Sequence, residues 1–89
     1  MLKYLKLIYI KGGYMIKSRL NILMAERGIR SIAELERQLK TSGLNISRSS
    51  LNKIYHNQNI NKTHLETVWK LTRFFNCGVD SLFSEISDL

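Results

Sequence analysis

An all-α domain of five short helices is the fold class that the sequence predicts, on three observations. Apolar residues recur at helical rather than alternating spacing through most of the chain after Met15. Two of these runs open on Ser or Thr followed three residues later by Glu, a capping pattern, and glycines fall where runs end. The 89 residues contain no proline and five glycines, which suits short helices joined by tight turns.

The first helix carries Ile16, Leu20, Leu23 and Met24, and Gly28 stops it. The second opens with Ser31-Ile32-Ala33-Glu34 and places Ile32, Leu35 and Leu39 on one face. Residues 40–45, with Ser42-Gly43, form a turn. The third helix has Ser47 as N-cap, follows Ile46, and buries Leu51 and Ile54; residues 57–62 are polar loop. The fourth opens with Thr63-His64-Leu65-Glu66 and carries Leu65, Val68, Trp69, Thr72 and Phe75 as the densest core stripe, ending at Asn76-Cys77-Gly78. Asp80 caps a short last helix that holds Leu82, Phe83 and Ile86.

One domain is expected at this length, against a common size of about 100–150 residues. Residues 15–89 form it, and residues 1–14 read as an extension. Lys11-Gly12-Gly13 is what a ribosome-binding sequence encodes when translated, and it lies just before Met15. The leading expectation is therefore a translated leader, with Met15 as the native start. Alternatives are a strand that pairs across a dimer and a membrane-surface anchor.

Charge is the first functional clue. Lys and Arg number 14 against seven Asp and Glu, a net +7. The excess is concentrated early: residues 15–62 hold nine basic and three acidic side chains, whereas residues 63–89 carry a net −2. Such a distribution points to an anionic partner, nucleic acid above all. No stretch approaches the roughly 20 apolar residues of a membrane helix. Cys77 is the only cysteine, which excludes an intrachain disulfide and favours a reducing cytoplasm; beside Phe74 and Phe75 it reads as a small buried residue. One cysteine, without a dense carboxylate cluster, argues against a metal site. No nucleophile–base set and no glycine-rich phosphate loop can be assembled, so neither an enzyme nor a cofactor or small-molecule ligand is expected.

The second and third helices are the informative pair. A capped helix, a turn and a second helix whose outer face lacks acids is the plan of a major-groove reader, because the second helix must enter the groove N-terminus first. Its first turn offers Arg48, Ser49 and Ser50, with Asn52, Lys53 and His56 one turn on, while Leu51 and Ile54 face the body. The plainer reading makes Arg48, Asn52 and Lys53 a solvated face. Trp69, Phe74 and Phe75 read as core rather than a base-stacking platform, and Tyr55 as either core edge or backbone contact. His56 and His64 are more often surface residues than metal ligands.

The chain resembles the Cro/CI-type (lambda-repressor-like, XRE) helix-turn-helix regulators over residues 16–86. The resemblance is carried by Ser31-Ile32-Ala33-Glu34-Leu35, by residues 46–55 (Ile-Ser-Arg-Ser-Ser-Leu-Asn-Lys-Ile-Tyr), by Thr63-His64-Leu65-Glu66-Thr67-Val68, and by the closing residues 75–83. It implies a compact five-helix lambda-repressor-like fold. It places base reading on Arg48, Ser49 and Lys53, with Ser50 and Asn52 beside them. DNA-backbone contacts are expected at Ser31, Ser47, His56, Asn57, Asn59 and Lys62. Three departures stand out: Glu36 where a small residue is usual, a longer turn over residues 40–45, and Asn57 where glycine is common.

The resulting expectation is a cytoplasmic transcriptional regulator of a bacterial, phage or mobile-element host. It binds double-stranded DNA as a homodimer on a near-palindromic operator, with a further mating surface around Leu82, Phe83, Ile86 and Leu89. The competing class is an antitoxin-like or other protein-interaction module on the same fold.

Overall fold

A computed structural model describes residues 8–10 and 14–87, with side chains over residues 16–84. Five α-helices form the body: α1 (Leu20–Glu26), α2 (Ile32–Thr41), α3 (Arg48–Tyr55), α4 (Leu65–Phe75) and α5 (Val79–Leu82). A 3-10 turn, Ile60–Lys62, lies before α4. Beside the helices stands an antiparallel sheet of order β1-β2-β3, built from β1 (Ile8–Ile10), β2 (Tyr14–Ser18) and β3 (Phe83–Ser87).

The ends of α1, α2 and α3 share one device. Each closes with a left-handed residue, and the two backbone N–H groups there return to carbonyls in the last turn. In α1 Gly28 (φ 71°) takes this place, with Ile29 N–H donating to the Met24 carbonyl at 2.9 Å. Gly43 (φ 78°) does the same for α2, with Leu44 N–H reaching the Leu39 carbonyl at 2.8 Å. Asn57 (φ 59°) ends α3, with Gln58 N–H on the Lys53 carbonyl at 2.7 Å. Asparagine tolerates this conformation next best after glycine, and here it has a second task. Its Oδ1 accepts the Ser18 N–H at 2.7 Å, joining α3 to β2, and a glycine could not make that bond.

A single core fills the space between helices and sheet. Leu20, Leu35, Leu39, Leu51, Ile54, Leu71 and Leu82 are its fully buried side chains. The apolar face of each amphipathic helix is removed from water there, at roughly 25 cal/mol per Å² of apolar surface. Arg27 covers one rim, its guanidinium 5.3 Å from the ring centroids of both Phe74 and Phe75.

Several sequence-based expectations are corrected. Ile16 lies on β2, and α1 starts only at Leu20. α4 buries Leu71 and Phe75 and half-buries Val68, whereas Leu65 and Trp69 stand 83% and 52% exposed. The apolar arc of the helix is wider than one packing face, with Glu66, Lys70 and Arg73 on the remaining side, and packing selects the part of the arc through Leu71. Its N-cap is His64, without a side-chain cap, so the Thr63 capping box does not form. Glu66 instead lies 3.6 Å from Lys70. α5 is capped by Gly78 rather than Asp80 and ends at Leu82. Phe83 and Ile86 belong to β3, whose register against β2 pairs Phe83 with Ser18 and Ile86 with Met15. Leu82 is fully buried and Phe83 packs on the core, so those two do not form an open mating surface. Leu89, the lysines at 3, 6 and 11 and the Gly12-Gly13 pair lie outside the described residues. The division between residues 14 and 15 falls inside β2.

Cys77 is half-buried and packs on the core. Burial pushes its thiol pKa up, Asp80 adds to the shift and Arg27 opposes it. A raised pKa keeps the sulfur as a neutral, weakly nucleophilic thiol. Among the described residues no group of three or more His, Cys, Asp or Glu is placed to hold a metal, and no helix is long and apolar enough to cross a membrane.

Candidate nucleic-acid interface

The site is built on α2, the turn after it and α3. Both helices are held at their N-termini by serine. Ser31 Oγ accepts the Glu34 N–H at 3.1 Å, and Glu34 reaches back to the Arg30 N–H at 3.2 Å. Ser47 Oγ accepts the Ser50 N–H at 3.1 Å and donates to Ser50 Oγ at 2.9 Å. Such a cap contributes about 1 kcal/mol and fixes where the helix begins. The first turn of α3 therefore starts at a defined point, with its remaining N–H groups and positive dipole end directed outward.

The long turn between the helices is firmly held. Gly43 closes α2, Ile46 is buried, and Lys70 Nζ of α4 donates to the Asn45 carbonyl at 2.7 Å. The extra residues thus form a fixed link.

From this frame α3 projects its two faces as its spacing requires. Leu51 and Ile54 are buried. Arg48, Ser49, Asn52, Lys53 and His56 are exposed, and Ser50 is half-buried, turned towards its cap. Arg48 is tied to α2: its Nε and Nη2 each lie 2.9 Å from Glu36 Oε1. Beside this pair an open cleft of about 620 Å³ runs between α2, the turn and α3, with Arg37, Lys40 and Arg48 on its walls. Between Glu36 and Glu66 the chain contains no acidic residue. Glu36, a departure from the pattern of similar sequences, thus lines the candidate site.

The backbone-contact candidates lie at the N-termini of α2 and α3 and in the segment that follows α3. Ser31 and Ser47 are exposed helix caps. Asn59 adopts the left-handed conformation (φ 52°) that starts the 3-10 turn, and it and Lys62 are exposed. Asn57 is half-buried, its carbonyl oxygen engaged by Ser18 and its amide nitrogen free of any hydrogen bond among the described residues. Tyr55 is exposed, with its ring 5.1 Å from that of His56 in an edge-to-face arrangement.

This arrangement is a capped, cation-bearing helix end over a rigid scaffold. It can present side-chain donors and backbone N–H groups to phosphates and base edges. In comparison with known proteins, the family model described as Cro/C1-type HTH DNA-binding domain matches residues 19–88. No curated protein and no solved structure matches the chain.

Proposed function

The chain belongs to the Cro/C1-type helix-turn-helix family of DNA-binding regulators, and from that premise we propose that it reads the major groove of a specific double-stranded operator with α3. The observation that carries this reading is the division of α3 itself. Leu51 and Ile54 anchor it, and Arg48, Ser49, Asn52 and Lys53 are exposed on the other face.

Arg48 is the principal base reader. Its Nε edge is engaged by Glu36, which leaves the terminal pair of N–H groups for the O6 and N7 of a guanine. Ser49, Ser50, Asn52 and Lys53 supply adjacent contacts. Ser31, Ser47, His56, Asn57, Asn59 and Lys62 meet the sugar-phosphate backbone through hydroxyls, amide nitrogens, cationic charge and helix-end N–H groups. Residues 15–89 make up the domain, and residues 1–14 are an extension of it. The protein acts in the cytoplasm, without catalysis or cofactor, as a homodimer whose two α3 helices occupy successive major grooves of a near-palindromic site.

Selection of bound sequences from random duplex DNA at near-physiological salt tests the reading, with Arg48→Ala run in parallel. An enriched motif containing guanine, lost or blurred in Arg48→Ala, is the expected result. Absence of any enriched motif would sink it.

A further inference from the structure

Among the described residues, α4 leaves one stripe largely uncovered. Leu65, Trp69, Thr72 and Asn76 follow one another at helical spacing along a single face. Leu65 is 83% and Trp69 52% exposed, although both are large and apolar. At the C-terminal end of this face lies an open depression of about 640 Å³, walled by Thr72, Arg73, Asn76, Cys77 and Gly78. A knob, Trp69, thus sits about one turn from a hollow on the same face. A knob and a hollow on one face are the elements that a two-fold contact between identical copies requires.

Charge points the same way. Two copies of a chain with net charge +7 repel each other most through residues 15–62, so a contact between copies meets least repulsion over residues 63–89, where the net charge is only −2. On α4, Glu66 is well exposed and only loosely engaged by Lys70 at 3.6 Å. Arg73 lies two turns further on, with its guanidinium 5.2 Å from the Trp69 ring centroid.

We infer that α4 packs antiparallel against α4 of a second copy of this chain, about a two-fold axis between Trp69 and Thr72. Each indole fills the other copy's depression, and each Glu66 comes within reach of the Arg73 opposite. The inference deepens the reading of the chain as a dimeric DNA binder and rests on it. One helix face per copy is a small interface, at the low end for specific association (below about 1,200 Å²). The free dimer is accordingly weak, and two half-sites on one duplex strengthen it.

Sedimentation equilibrium of the full chain tests this, using wild type, Trp69→Ala, Glu66→Arg, Arg73→Glu and an equimolar mixture of the last two. Trp69→Ala is expected to raise the dimer dissociation constant about thirtyfold, as loss of a central aromatic anchor does. Each charge reversal alone weakens the dimer. The mixture restores it as a heterodimer, because both crossings then join opposite charges. A wild-type chain monomeric at every accessible concentration, or a mixture no better than its components, would overturn the inference. Binding of each variant to a duplex carrying one selected half-site is measured alongside. If half-site binding is intact while the mixture fails, the interface falls alone. If no duplex binds but the mixture pairs, the DNA reading falls and the interface stands.

Discussion

Arg48 on α3 and Glu36 on α2 are joined across the turn, with the Nε and Nη2 of Arg48 both 2.9 Å from one Glu36 oxygen. The pair is largely exposed, so its contribution to folding is small, about 0–1 kcal/mol. Its consequence is orientation. A free arginine samples many rotamers, whereas one held along its Nε edge presents its terminal N–H pair in a restricted direction.

Glu36→Ala is therefore expected to leave stability nearly unchanged and to reduce discrimination at the guanine assigned to Arg48. Affinity for the preferred duplex and for one with that guanine replaced should draw closer together. Titration of both duplexes with both proteins checks it. An unchanged ratio would mean that Glu36 does not position Arg48.

Lys53 lies one turn further along the exposed face, beside no acid. If its ammonium meets phosphate, Lys53→Ala should weaken binding by a similar factor on every sequence, and the slope of log K against log salt should fall by about 1. A loss confined to one base position is the result expected if Lys53 reads a base, as assigned above; the uniform loss would move it to the backbone contacts.

Asn57 separates two effects within one residue. Asn57→Gly keeps the left-handed turn but leaves the Ser18 N–H, on a residue only 4% exposed, without its acceptor. The expected loss is about 1–3 kcal/mol. Asn57→Ala adds the steric cost of that backbone conformation, about 1–2 kcal/mol. Urea unfolding should rank wild type above Asn57→Gly and Asn57→Gly above Asn57→Ala. Equal stability of the two variants would show that the turn conformation contributes nothing.

The same measurement distinguishes the two stripes of α4. Leu71→Ala, at a fully buried position, is expected to cost about 2–5 kcal/mol. Leu65→Ser, on the exposed stripe, should change monomer stability by no more than about 0.5 kcal/mol. A reversed order would contradict the packing described for α4.

How much of this was legible beforehand depended on where the determining contact lay. Ser31, Ser47, Gly28 and Gly43 act within a few residues of themselves, so α2, α3 and the turn between them could be read directly. The phase of α4 could not. Leu65, Val68, Trp69, Leu71, Phe74 and Phe75 cover most of its circumference, and only the neighbouring helices select which are buried. β3 escaped for a related reason. Phe83 and Ile86 are three apart, a helical interval, and pairing with β2 some 65–71 residues earlier makes them a strand. Within the site, Arg48 and Lys53 were visible as cations on an acid-free helix face. The role of Glu36 was hidden, because it depends on a contact 12 residues away.

Interference by guanine N7 methylation on a selected operator tests the central claim most directly, since the methyl group occupies the major-groove edge that Arg48 is assigned to read. Methylation of one guanine in each half-site is expected to weaken the wild-type protein about tenfold or more, a cost of about 1–3 kcal/mol. Arg48→Ala, already without that contact, should be nearly indifferent to it. Equal interference in both proteins, or none in either, would contradict the assignment of α3 as the helix that reads DNA through Arg48.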